Sequence, residues 1–136
     1  LDSLQLKLRS EYILDGGPFY HEFEALNTIK EPWNTYSSLL FFIPVIFWIW
    51  KLKGQYRQHQ IILIIIPLLF LNGLGSTLYH ASRTQPFYLY LDFLPASAMS
   101  FLLSSFFWYF ILNHRLKSVS IVLLFYAFGG VSWMFV

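Results

Sequence analysis

Residues 61–80 contain no Asp, Glu, Lys or Arg. A run of that length matches the roughly 20 residues a helix needs to cross the hydrocarbon core of a bilayer. Three further runs, 33–50, 87–112 and 119–136, are similarly apolar, with Asp92 the one charged residue among them. Apolar residues make up 57% of the chain and charged ones 12%, about half the usual charged share. A water-soluble domain of this size cannot hide so much apolar surface. The expected fold is therefore all-α: an integral membrane bundle of about four transmembrane helices over 33–136. Pro32 falls at the first turn of the first run, where its missing N–H removes no hydrogen bond. Trp33, Tyr36, Trp48 and Trp50 flank that run, as aromatic belts do at membrane interfaces.

Residues 1–32 form a different region, an acidic extramembrane arm. They hold Asp2, Glu11, Asp15, Glu22, Glu24 and Glu31, leaving only Asp92 elsewhere. Gly16, Gly17 and Pro18 break any long helix in the arm, and 4–14 has the pattern of a short amphipathic helix. The net charge of +2 is small and scattered, which argues against a nucleic-acid partner. The absence of cysteine excludes disulfides, thiol nucleophiles and Cys-ligated metals. Short-loop charges set an orientation. Lys51, Lys53 and Arg57 lie in one loop, Arg115 and Lys117 in another, and Arg83 alone in the loop between them. The two more basic loops are expected on the cytoplasmic side, so the arm faces the other way. The chain opens on Leu1 and its last apolar run stops at Val136. It reads as one that continues.

Four polar residues stand where lipid should be: Asn72, Ser76, His80 and Asp92. Ionisable groups at membrane depth are costly unless paired or bound to a metal. Asn72, Ser76 and His80 repeat every four residues and so share one helical face. The tight 81–86 loop makes the next span an antiparallel neighbour, and Asp92 comes to similar depth. One polar pocket is expected, on the arm's side of the membrane. Neutral imidazole is a good zinc ligand, a carboxylate can act as general base, and a hydroxyl can donate to a developing oxyanion. Catalytic zinc takes three protein ligands, whereas this pocket offers one histidine. His21 belongs to the arm, and His59 and His114 to loops at the opposite side. The plainer readings are an interhelical hydrogen bond for Ser76 and His80, a structural His80–Asp92 pair, helix–helix adhesion for Asn72, and a solvated face for the acidic arm.

The stretch GLGSTLYHASRTQPFYLYLDFLPASA resembles the Ser-x-x-x-His…Asp signature of the alkaline ceramidase family, part of a membrane hydrolase superfamily that includes the adiponectin-type receptors. FYHEFEALNTIKEPWNTYSSLLFF is similar to that family's opening motif, with two glutamates ahead of the first helix. The resemblance covers about 15–105. It implies a zinc-dependent amidohydrolase cleaving ceramide-like sphingolipids within the membrane. In that reading His80 is a zinc ligand, Ser76 and Asp92 contact the attacking water, and Asp92 shuttles the proton. Glu22 and Glu31, with Glu24 close by, match positions that in animal members hold a calcium ion. The sequence departs from the family in four respects. The family has seven helices, and its other two zinc ligands come from a His-x-x-x-His that this chain lacks. His21 stands for the family's cysteine, and Phe19 for its aspartate, for which Asp15 offers a nearby substitute. The alternative is a non-catalytic membrane subunit or lipid-binding protein that assembles with partner membrane chains.

Overall fold

In the computed structural model, residues 11, 13 and 15–133 are described, with side chains through residue 129. All regular elements among them are helical. In chain order they are α1 (Pro32–Ser38), a 3₁₀ turn (Leu39–Phe41), α2 (Phe42–Lys51), a second 3₁₀ turn (Tyr56–Gln58), α3 (Gln60–Ser82), α4 (Pro86–Leu112) and α5 (Arg115–Trp133). The proposed amphipathic helix over 4–14 lies almost wholly outside the described residues.

Among the described residues, three segments are long and apolar enough to cross a membrane: Pro32–Lys51, Gln60–Ser82 and Pro86–Leu112. They coincide with the first three runs read from the sequence. The fourth run overlaps α5, and 134–136 lie outside the described residues. Within α4, only 6% of the most apolar 18-residue stretch is buried. Water-facing surfaces rarely carry apolar patches that extensive. This is a surface suited to lipid or to other helices.

The chain divides into two compact units, 1–96 and 97–136. In the first, α1 and α2 pack along α3. Val45 and Leu52 meet Ile66 there, with Ile62 and Leu69 alongside. Two glycines allow close approach. A Cβ at Gly73 would lie 2.8 Å from the Cβ of Phe41, and one at Gly75 would collide with the Leu91–Asp92 backbone. The sequence marked this stretch for a kink or a close contact, and close contact is what the two glycines provide. Pro67 sits inside α3, where it removes one backbone donor from the helix ladder. In the second unit the Tyr126 hydroxyl donates to the Ser97 carbonyl at 3.1 Å, and its ring meets Phe101 edge to face.

The arm closes one end of the first unit. A helix leaves its last carbonyls without partners inside the helix. Here the backbone N–H of Lys30 donates to the Ala81 carbonyl at 3.0 Å and that of Glu31 to the His80 carbonyl at 3.1 Å. Two residues of the arm are thereby stitched to the last turn of α3. Glu31 in the arm and His80 in the helix, far apart in sequence, become neighbours.

Candidate functional site

His80, on the last full turn of α3, is 8% exposed. Its Nδ1 lies 2.5 Å from Oε2 of Glu31, which is wholly buried. An ionised carboxylate oxygen only accepts, so Nδ1 is the donor to it; in the neutral imidazole Nε2 then carries the lone pair. One turn earlier, Ser76 is also buried. Its Oγ lies 3.0 Å from the Oγ of Ser38 in α1 and is close enough to the Asp92 carboxyl to interact with it. Asn72, a further turn back, donates through Nδ2 to Asp92 twice: to the backbone carbonyl at 2.6 Å and to Oδ1 at 3.1 Å. Asp92 lies close enough to His80 for the two to interact electrostatically. The polar residues singled out in the sequence therefore do gather, Asn72, Ser76 and His80 along the second half of α3 with Asp92 of α4 beside them. The hydrogen-bonding partner of His80 is Glu31 rather than Asp92. The arm's backbone contacts with 80–81 carry Glu31 onto the imidazole, while Asp92 is occupied by Ser76 and Asn72.

The other acidic residues are engaged differently. The Glu22 carboxylate accepts from the backbone N–H of Trp33 at 2.7 Å and of Asn34 at 2.9 Å. It thus caps the start of α1, where unpaired N–H groups and the helix dipole favour negative charge. Glu31, the residue preceding α1, makes no side-chain cap. Glu24 accepts from the Asn27 side chain. Among the described residues no group of three or more ligating side chains could hold a metal ion. For zinc, His80 fits as one ligand by the tautomer argument above. Glu22, Glu24 and Glu31 each accept hydrogen bonds from separate donors.

The residue that sequence reasoning missed is Arg83. Read only as a lone loop charge, it is wholly buried. Its Nε donates to Asp15 Oδ2 at 2.7 Å and its Nη2 to Asp15 Oδ1 at 3.1 Å and to the Pro18 carbonyl at 2.9 Å. Its Nη1 donates to Glu31 Oε1. The Tyr79 and Tyr20 rings cover the guanidinium, at 4.6 and 5.6 Å to their centroids. Burial works against its charge, but the Asp15 hydrogen bonds and the Glu31 carboxylate outweigh that, and its pKa lies above the ordinary value. Burial, reinforced by Glu31, likewise raises the Tyr20 phenol. The available signal was charge complementarity: one cation in the short loop beside an arm rich in carboxylates.

Comparisons with protein-family models, with curated proteins and with solved structures gave no match. The functional reading therefore rests on the geometry of the site and on the motif resemblance.

Proposed function

We propose that the chain is an intramembrane zinc-dependent amidohydrolase acting on ceramide-like lipids, of the alkaline ceramidase kind. Its apolar helices cross the membrane several times, and the acidic arm lies on the non-cytoplasmic side. The observation that supports this best is the anchoring of a buried His80 by Glu31, beside Ser76 and Asp92. A carboxylate that accepts from one ring nitrogen fixes the tautomer and makes the other nitrogen a better metal ligand. In this reading His80 holds the zinc, and two further ligands come from outside the described residues. Bound zinc would polarise the amide carbonyl and acidify a water molecule.

The chain's own residues supply the remaining chemistry. The Asp92 carboxylate takes the proton from the attacking water and returns it to the amide nitrogen of the leaving amine. The products are a fatty acid and a long-chain amine. Ser76 Oγ donates to the oxygen on which negative charge develops. Asn72 holds Asp92 in place through both of its hydrogen bonds. The broad apolar faces of the helices suit a substrate that arrives through lipid. The choice of an amide lipid rests on the motif resemblance.

A second reading, a non-catalytic membrane subunit, is favoured by one observation: Ser38 is hydrogen-bonded to Ser76 and Asn72 to Asp92. Turnover of a fluorescent ceramide in mixed micelles separates the two. The hydrolase reading predicts that Asp92→Asn loses roughly 10²- to 10⁴-fold in kcat and Ser76→Ala roughly 10²- to 10³-fold, with KM little changed. Wild-type protein that releases no amine, or an Asp92→Asn variant as fast as wild type, decides for the non-catalytic subunit.

A further inference from the structure

Arg83 ends α3 in the left-handed conformation, with φ 53° and ψ 29°. Helices commonly end this way on glycine, because a side chain there is strained. A long, charged, wholly buried side chain at such a position needs a reason. Strain of this kind persists only where the surroundings impose it. The surroundings here are oxygens: both of Asp15, one of Glu31 and the Pro18 carbonyl, all directed at one guanidinium.

The same cluster ties three parts of the chain together. Asp15 and Pro18 belong to the arm, Glu31 immediately precedes α1, and Arg83 ends α3. The Asp15 side chain also accepts from the Gly17 backbone N–H at 2.8 Å, and a Cβ at Gly17 would collide with the Tyr79 hydroxyl. The arm thereby runs close against the hydroxyl end of Tyr79 at Gly17. Glu31 spends one oxygen on Arg83 and the other on His80.

We propose that Arg83 is the positioning residue of the site: its guanidinium is a permanent internal cation that latches the arm onto α3 and holds Glu31 against His80 Nδ1. It does covalently what a dissociable divalent cation would do for such a set of oxygens, so closure of the arm does not depend on calcium. The effect on His80 as a ligand rests on the hydrolase reading. The latch itself does not.

Purified protein in detergent tests both parts. Wild type should melt at the same temperature in millimolar calcium and in a calcium chelator. Arg83→Gly relieves the backbone strain and removes the cation. It should lower Tm by roughly 10 °C or more, since breaking a buried ion pair is strongly destabilising. Arg83→Lys keeps the charge but loses the two-pronged grip, and its Tm should fall between the two. Zinc affinity should fall roughly tenfold or more in Arg83→Gly and less in Arg83→Lys. The latch is overturned if Arg83→Gly melts at or above wild type, or if calcium raises the wild-type Tm. The positioning role is overturned if Arg83→Gly binds zinc as tightly as wild type. Should Arg83→Gly fail to fold, the calcium comparison on wild type and the Arg83→Lys variant still decide. If wild type binds no zinc, the hydrolase reading falls, and the melting comparison alone judges the latch.

Discussion

Glu31→Gln should cost the protein roughly ten- to a hundredfold in zinc affinity and several kcal/mol of stability, about what breaking a buried charge pair costs. The substitution is nearly isosteric, so the effect is chemical rather than steric. Glu31 uses both oxygens as acceptors, Oε2 for His80 Nδ1 and Oε1 for Arg83 Nη1. A glutamine has one acceptor end and one donor end. If its NH₂ faces Arg83, two donors confront each other in a site closed to water. If it faces His80, Nδ1 must become the acceptor and the ring proton moves to Nε2, which removes the lone pair that would bind a metal. The first arrangement leaves buried donors unsatisfied, and the second removes the metal-binding lone pair. Competitive zinc titration and thermal unfolding of the variant check both effects. Wild-type affinity in Glu31→Gln would mean that the His80 tautomer is not set by Glu31.

Gly75→Ala should destabilise by about 2–3 kcal/mol, at the upper end for overpacking a tight contact. It should also abolish most of any activity. The added methyl collides with the backbone of Leu91 and Asp92. A backbone cannot swing aside as the end of a side chain can, so α3 and α4 must separate at that point. Asn72 lies one turn away on α3, and its bonds to Asp92, at 2.6 and 3.1 Å, span the same contact. Separation would break them and release the carboxylate from its place beside Ser76. Gly129 is the control: a Cβ there meets nothing within 4 Å, and Gly129→Ala should be neutral or slightly stabilising, because alanine is the better helix former. Chemical unfolding of the two variants side by side measures the difference. Equal stability of Gly75→Ala and wild type would show that α3 and α4 do not depend on this close approach.

The parts legible in the sequence were those governed by local pattern. Long apolar runs matched the three candidate spans to within a few residues: 33–50 against Pro32–Lys51, 61–80 against Gln60–Ser82, and 87–112 against Pro86–Leu112. Helical spacing placed Asn72, Ser76 and His80 on one face, and the short 81–86 loop brought Asp92 to them. Long-range pairing was not legible. Glu31 and His80 are 49 positions apart, and Arg83 and Asp15 are 68 apart. They meet because backbone N–H groups of the arm satisfy the last carbonyls of α3, which no side-chain pattern announces. The motif resemblance grouped Glu22, Glu24 and Glu31 around one ion. In the structure Glu22 caps α1 and Glu31 joins His80 to Arg83. A carboxylate two turns of chain before a helix can serve as its cap as readily as it can bind a metal, and composition does not distinguish the two roles. Ser38 was read as part of an apolar span, yet its hydroxyl lies beside that of Ser76.

The most direct test of the hydrolase account is the zinc content of the protein purified without chelators, measured by mass spectrometry beside a His80→Ala variant. The account predicts about one zinc per chain in wild type, lost in His80→Ala while the variant keeps its helical content. A folded, undamaged wild-type preparation with no zinc, or a His80→Ala variant that retains the metal in full, would contradict it.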